Sequence, residues 1–177
     1  ESPFSNFAMS GIDKQHFGLE VAESLPLYAG LALNGAISWG QFTYDSNPDY
    51  VQIQDNSGEI KNEGKVYWKN FRVESTPQTA MNIGLSYRSR NNIYASVDMN
   101  YYNNMYLSMS PLYRTDAVLS RNMSAEDIRE LRHQEKFNSA CVFNASVGKN
   151  WYINRAYTLG FSLEVKNLLN NQDIKTG

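Results

Sequence analysis

Several features that define common protein classes are scarce in this sequence of 177 residues. Its single cysteine, Cys141, excludes an intrachain disulfide framework and a zinc site built from cysteines. Charged residues make up only 19% of the chain, the net charge is −2, and no block of basic residues occurs. Nucleic-acid binding therefore has no electrostatic basis. The longest nearly unbroken apolar stretch, 25–33, is too short for the ~20 residues of a membrane-spanning helix.

Residues suited to catalysis or metal binding are also few. The only histidines, His16 and His133, are distant in sequence, and neither has a candidate nucleophile nearby. Asp55–Glu59 superficially suggests a calcium loop, but its spacing misses the EF-hand pattern and favours a polar turn. No glycine-rich phosphate loop occurs. We therefore predict no enzymatic activity, no cofactor and no metal site.

What the sequence does contain is a strict two-residue alternation of apolar and small polar side chains. It runs through residues 27–40, 81–88, 93–101, 141–148 and 157–166. On one face of these segments 24 of 25 positions are apolar, against 5 of 24 on the other. This period predicts β-strands with one face in an apolar medium. A sixth, shorter strand is expected around Phe17, Leu19 and Val21.

The predicted connections alternate between short and long. Short turns are expected at Leu25-Pro26, at Ser89–Asn92 and from Asn150 to Ala156. The other two connections, roughly 45–78 and 107–138, are each about thirty residues long, which is uncommon in compact soluble domains. Short turns at one end of the strands and long loops at the other are typical of outer-membrane barrels.

Aromatic residues are placed at both ends of the predicted strands, and about ten residues lie between them, enough for a tilted strand to cross a bilayer. Beside the short turns are Tyr28, Tyr87, Tyr94, Trp151, Tyr152 and Tyr157. At the opposite ends are Trp39, Phe42, Tyr44, Tyr101, Tyr102 and Tyr106. This placement predicts two aromatic girdles at the two membrane–water interfaces.

The predicted fold is therefore all-β: an antiparallel up-and-down meander of about six long strands, forming a segment of a transmembrane β-barrel. A capping-box pattern, Ser124–Asp127, predicts a short helix extending to about Glu135 in the second long loop. Because the smallest bacterial barrels have about eight strands, we expect residues 1–177 to be one fragment of a larger barrel. The alternative is a soluble β-sandwich. It predicts that a second sheet of this chain covers the apolar face that carries Leu31, Leu33, Ile37, Phe161 and Leu163.

Several short motifs resemble a known family. They are the alternating stretches Val142–Trp151 and Tyr157–Asn170, the latter ending in the motif Asn167-Leu168-Leu169-Asn170. Asn103–Leu107 and Gly18-Leu19-Glu20 add weaker similarity. Together these segments resemble the C-terminal part of the barrel of a TonB-dependent outer-membrane receptor.

The resemblance implies a 22-stranded barrel in the outer membrane of a Gram-negative bacterium. It implies that the plug domain, the TonB-contacting segment and the terminal strand lie outside residues 1–177. The implied partners are the lipid bilayer, the missing plug, the remaining barrel strands and TonB. The implied activity is import of a scarce nutrient: a siderophore, cobalamin, a glycan or a peptide. A passive porin-like channel is the alternative with the same architecture.

Two groups of residues are candidates for function. The polar face of the strands is expected to line the lumen or contact the plug through Asn34, Ser38, Asn82, Arg88, Asp98, Asn100, Glu164 and Lys166. At the outer mouth, exposed aromatic side chains are expected to bind ligand by stacking beside polar neighbours. These are Tyr44, Tyr50, Tyr67, Trp68 and Phe71, and packing of the loop against itself is the alternative role for each.

Overall fold

The computed structural model describes residues 4–121, 123–154 and 156–173. The chain divides into two compact units. The first, which we call the loop unit, comprises Glu1–Phe17, Gln41–Thr76 and Tyr106–Lys136. The second, the sheet unit, comprises Gly18–Gly40, Pro77–Met105 and Phe137–Gly177.

Within the described residues the fold is all-β, with nine strands and few helices. The strands are β1 (Ser5–Ser10), β2 (Lys14–Pro26), β3 (Leu31–Tyr44), β4 (Asp49–Gln54), β5 (Ile60–Lys65), β6 (Thr79–Arg88), β7 (Ile93–Asn103), β8 (Ala140–Ile153) and β9 (Tyr157–Val165). The helices are a 3-10 helix at Pro111–Arg114, α1 (Asp116–Leu119) and α2 (Ala125–Arg132).

The larger of the two sheets confirms the predicted meander. Over the described residues its strand order is β2-β3-β6-β7-β8-β9, so each strand lies beside the next long strand in the sequence. The pairs from β3 to β9 are antiparallel. Their register places Leu33 opposite Leu85, and Leu85 opposite Val97. Apolar residues therefore share one face, as their alternation in the sequence predicted.

The turn between β2 and β3 lies later than predicted. β2 continues through Pro26, and the chain reverses at Leu27–Gly30 rather than at Leu25-Pro26. Ala29 and Gly30 both have positive φ, 53° and 85°. A Cβ at Gly30 would lie 2.0 Å from the carbonyl oxygen of Arg88, so only glycine fits there. Leu27 and Ala29 continue the apolar alternation into the turn, which is why pattern alone misplaced it.

The other two short connections lie close to their predicted positions. Ser89–Asn92 forms a tight turn in which the Ser89 Oγ accepts hydrogen bonds from the N–H groups of Asn91 and Ile93. β8 continues to Ile153, which pairs with Tyr157, so the last turn is shorter than the predicted Asn150–Ala156. Arg155, within that turn, lies outside the described residues.

The smaller sheet belongs to the loop unit and was not predicted. Its order is β1-β4-β5 in the described chain, and both pairs are antiparallel. A register shift between Gln52 and Ile53 interrupts the β4–β5 pairing. Polar residues such as Asn62 and Glu63 leave these strands without a clear apolar period. The long connections are therefore partly regular structure instead of irregular loop.

The predicted helix is confirmed as α2. The Ser124 side chain accepts a hydrogen bond from the Asp127 N–H, and the Asp127 carboxylate accepts one from the Ser124 N–H. This reciprocal pair is a capping box, the signal that the sequence carried. The helix ends at Arg132, three residues before the predicted limit of Glu135.

Candidate functional site

The apolar face of the large sheet is exposed. The side chains of Leu33, Phe161 and Leu163 are 37%, 63% and 54% accessible. Ile37 is also exposed, and Leu31 is partly buried. The sandwich alternative required a second sheet of this chain to cover these side chains, and their exposure contradicts it. The exposed apolar side chains lie side by side on neighbouring strands and form one contiguous patch. On ordinary protein surfaces exposed apolar residues are scattered singly.

Aromatic side chains lie near both ends of this apolar face. By register, Tyr87, Trp151 and Tyr157 lie near the short turns, and Trp39 and Tyr101 lie near the other strand ends. From the Leu31–Tyr87 pair to Trp39 is eight residues, ~27 Å along the strand. At the ~40° tilt of a barrel strand this is about 20 Å, close to the height of a bilayer-facing apolar band.

Not every aromatic residue of the predicted girdles lies on this face. Tyr94, Tyr102 and Tyr152 face the polar side by register. Tyr44 is buried and Phe42 packs beside it in the loop unit, so assigning these two to an exposed girdle was wrong. Tyr106 also belongs to the loop unit, and Tyr28 is exposed in the β2–β3 turn.

Lys149 is a charged residue on the apolar face, at the turn end of β8. Its register partners are Ile93 and Phe161. The ammonium nitrogen lies 5.3 Å from the centre of the Trp151 ring, a cation–π contact. A long side chain at this position can keep its charge at a water interface while its methylene groups cover apolar surface.

The polar face of the large sheet carries chains of side-chain hydrogen bonds. Asn34 on β3 accepts a bond from Ser24 Oγ (2.7 Å), and its Nδ2 donates to Ser86 Oγ (3.2 Å). Ser38 donates to the Glu20 carboxylate (3.2 Å). Two of the predicted polar-face residues, Asn34 and Ser38, therefore link neighbouring strands.

A second chain of bonds has Asp98 at its centre. One carboxylate oxygen, Oδ2, accepts hydrogen bonds from Asn100 Nδ2 and Asn144 Nδ2, both at 2.8 Å. Asn100 in turn accepts from Asn82 Nδ2 (2.9 Å), and Asn144 accepts from the Asn167 N–H (3.1 Å). Asn82, Asp98 and Asn100, which the sequence grouped, are thus in one network that extends across β6, β7 and β8.

The remaining predicted polar-face residues are not in these networks. Arg88 is exposed at the turn end of β6, opposite Tyr94. Glu164 and Lys166 face each other at 3.6 Å, and both side chains are mostly exposed. Contact of any of these residues with a lumen or plug stays a prediction.

The predicted ligand-binding aromatics divide into core residues and surface residues. Tyr44, Tyr50 and Trp68 are buried with Val66 and Val73 in the core of the loop unit. The rings of Tyr44 and Trp68 lie 4.7 Å apart, and Phe7 stacks on Tyr50 at 5.0 Å. The prediction that these three rings are exposed was wrong, because the loop unit buries them in a core of its own.

The other two, Tyr67 and Phe71, line an open cavity of about 870 Å³ in the loop unit. This volume is in the range of small-molecule sites. The full lining is Asn47, Tyr67, Lys69, Asn70, Phe71, Arg72, Tyr106, Arg114, Leu119, Ile128, Leu131, Arg132 and Gln134. Gln134 connects two of the contributing segments, because its side chain bonds both the N–H and the C=O of Arg72, each at 2.8 Å.

The charge of this cavity is positive. Four cationic residues line it, and no carboxylate is among the described residues that do so. The Arg114 guanidinium lies over the Phe71 ring, 5.4 Å from its centre, and donates to the Ser110 carbonyl. Its Nε is buried without a hydrogen-bond partner, and burial lowers the pKa of Arg114. Sequence reasoning missed Arg72, Arg114 and Arg132, because they are far apart in the chain.

No three His, Cys, Asp or Glu side chains of the described chain cluster closely enough to hold a metal ion. Among the described residues, no helix has both the length and the apolarity needed to cross a membrane. Comparison with protein-family models, with curated proteins and with solved structures finds no match.

Proposed function

We propose that this chain is a segment of a larger outer-membrane β-barrel, in a receptor of the TonB-dependent class that imports a scarce nutrient. The observation that carries the proposal is the exposed apolar face of the large sheet, with aromatic side chains at both ends. In water each exposed leucine or phenylalanine forfeits part of the about 1.5–3 kcal/mol that full burial of its side chain would contribute. In a bilayer the same surface faces hydrocarbon at no such cost.

The edges of the large sheet support a larger barrel. In the described chain β2 and β9 each have a hydrogen-bonded neighbour on one side only. In a bilayer each backbone N–H or C=O group without a hydrogen-bond partner costs several kcal/mol, so further strands must pair with the edges of β2 and β9. The pairing along β8 is also staggered: residues 140–149 pair with β7, and 145–153 with β9. Such a stagger is required when tilted strands close into a barrel.

The polar face suits the interior of that barrel. Its small polar side chains pair with one another through hydrogen bonds between neighbouring strands. Other side chains, such as that of Glu164, remain exposed and can make further contacts. In the proposed receptor this face meets the plug domain and water. The other partners are lipid, the remaining barrel strands and TonB, and the location is the outer membrane of a Gram-negative bacterium.

The choice of receptor class rests on the resemblance of residues 142–151 and 157–170. The structure gives a physical role to the motif that ends the resemblance. Asn167 has a φ of 53°, its Oδ1 accepts from the Asn171 N–H (2.8 Å), and its Nδ2 donates to the Asn171 carbonyl (3.0 Å). The motif thus forms a tight turn directly after β9.

The membrane proposal is tested with neighbouring residues on opposite faces of β3. Leu33→Arg should cost roughly 1–3 kcal/mol of insertion energy, since it places a charge within the lipid-facing band, between its turn end and its middle. Asn34→Arg, on the polar face, should insert nearly normally. Both are compared in the full-length gene product by outer-membrane fractionation and heat-modifiable migration in gels. Normal insertion of Leu33→Arg would contradict the lipid-facing assignment.

A plugged receptor and an open porin differ in conductance. The full-length protein, reconstituted in a planar bilayer with KCl on both sides, should show no steady open-channel current if a plug fills the barrel. A stable ohmic current from the unmodified protein would instead favour the porin-like channel.

A further inference from the structure

We propose that the cavity of the loop unit is a binding site for organic anions with a flat aromatic body. This inference names the ligand class of the proposed receptor and in that sense rests on the proposed function. Its evidence lies wholly within the loop unit, in the residues that form the cavity and in their charges.

The first argument is charge. Lys69, Arg72, Arg114 and Arg132 come from three chain segments to one cavity. Lys69 is 3.5 Å from Asp45, but neither Arg114 nor Arg132 makes an ion pair among the described residues. An anion entering the cavity would therefore meet positive charge that the protein has not neutralised.

The second argument is the partial burial of Arg114. The Arg114 guanidinium can donate five hydrogen bonds, yet within the described residues the one acceptor it reaches is the backbone carbonyl of Ser110, at 3.1 Å. Taking a cation out of water without full compensation is unfavourable, which is also why burial lowers its pKa. A carboxylate or phosphate oxygen in the cavity would return the lost interaction energy.

The third argument is the apolar and aromatic part of the lining. Tyr67, Phe71 and Tyr106 supply aromatic side chains, and Leu119, Ile128 and Leu131 supply aliphatic side chains. A small inorganic anion would use none of these. An aromatic ring carrying an acidic group would use both parts of the cavity, because its acidic group can pair with the arginines while its ring contacts the aromatic and aliphatic side chains.

One neighbouring feature weakens the charge at Arg132. That residue also borders another depression, where three carboxylates, those of Glu126, Glu130 and Glu135, outnumber the one further arginine, Arg129. These carboxylates lower the positive potential there, so we expect Arg114 to contribute more than Arg132 to the binding of an anion.

The test compares 1-naphthoate with 1-naphthamide, which has nearly the same shape but no charge. Binding to the full-length gene product in detergent is measured by equilibrium dialysis, with empty micelles subtracted. We expect saturable binding of naphthoate, at least tenfold tighter than that of the amide. Equal affinities, or no saturable binding of naphthoate, would overturn the inference.

Variants then assign the site. Arg114→Gln should weaken naphthoate binding about ten- to hundredfold, the value of a charge-assisted hydrogen bond. Arg132→Gln, at an exposed position, should weaken it severalfold even if Arg114→Gln folds poorly. The matched control is Arg129→Gln, on the same helix but outside the cavity lining, and should change affinity less than twofold. An effect of Arg129→Gln as large as that of Arg132→Gln would place binding elsewhere.

The two proposals fail in different ways. Arg132→Gln should leave membrane insertion unchanged, whereas Leu33→Arg should impair it. Normal insertion without naphthoate binding refutes the ligand class alone. Naphthoate binding by a protein that does not enter the outer membrane refutes the barrel receptor alone.

Discussion

Asp98 accepts two side-chain hydrogen bonds through one carboxylate oxygen, from Asn100 on its own strand and from Asn144 on the next. Asp98 is partly buried. If its carboxylate were removed, both amide groups would lose a charged acceptor without gaining full access to water. At the scale of single residues, this carboxylate connects the polar face of β7 to that of β8.

Asp98→Ala should therefore lower the free energy of unfolding by ~1–3 kcal/mol, because it leaves two amide donors without their acceptor. The control is Glu164→Ala, which removes a mostly exposed carboxylate 3.6 Å from Lys166 and should cost less than ~0.5 kcal/mol. Urea-dependent unfolding of the full-length gene product in detergent measures both. Equal destabilisation by the two variants would mean that the Asp98 network contributes no more stability than an exposed ion pair.

Tyrosine and tryptophan show the limit of residue-scale prediction. Tyr44, Tyr50 and Trp68 have aromatic rings that suit ligand binding, and so do Tyr67 and Phe71. The first three are buried in the core, while the last two line the cavity. Residue type alone does not separate these roles, since the difference is set by which chain segments pack over each ring.

At the scale of elements, α2 was predictable because its signal is local. Ser124 and Asp127 are three residues apart, and a capping box requires no contact with the rest of the protein. The small sheet had no such signal. Its strands β1 and β4 are separated by nearly forty residues, and their pairing of Ser5 with Gln54 is purely tertiary.

The capping box predicts a pH dependence for α2. Hydrogen bonds from the Ser124 side chain and then from its backbone N–H lower the pKa of Asp127 below its ordinary value of 3.8. A carboxylate whose pKa is lower in the folded state than in the unfolded state stabilises the folded state at pH values above its unfolded-state pKa. This contribution is lost as the pH falls through the folded-state pKa. We therefore expect the first turn of α2 to be protected at about pH 6 and to fray in acid.

Amide hydrogen exchange at Asp127 measures this fraying. Ser124→Ala should remove both the protection and most of the pKa shift, and Ser124→Thr should retain them, because threonine also accepts at an N-cap. Protection that is independent of pH in the unmodified protein would show that the Asp127 charge does not stabilise the helix end.

At the scale of the whole molecule, the faces of the large sheet should differ in access to water. In a Cys141→Ala background, Ser162→Cys on the polar side of β9 should react with a charged, water-soluble maleimide. Leu163→Cys, one residue on, should be shielded by lipid and react only after unfolding. Labelling of the intact protein in outer-membrane vesicles tests this. Equal labelling at both positions would contradict the membrane orientation.

The cavity is also a property of the whole loop unit. Lys69 and Phe71 follow β5, Arg114 ends the 3-10 helix, and Arg132 ends α2. The sequence identified the aromatic residues near one of these segments but grouped none of the arginines with them. Their juxtaposition depends on long-range contacts such as the two hydrogen bonds between Gln134 and Arg72.

The sequence by itself determined the long strands, their order and the two faces of the large sheet. The strands and their two faces follow from a period-two pattern within each strand, and three of the five pairings follow from short turns; both are local interactions. The pairings of β3 with β6 and of β7 with β8, across the two long connections, were predicted from the up-and-down meander. Only the tertiary structure decided that Tyr44, Tyr50 and Trp68 are core and that Arg114 and Arg132 share a cavity. Those outcomes depend on contacts between segments distant in sequence, and no local pattern encodes which of those segments meet.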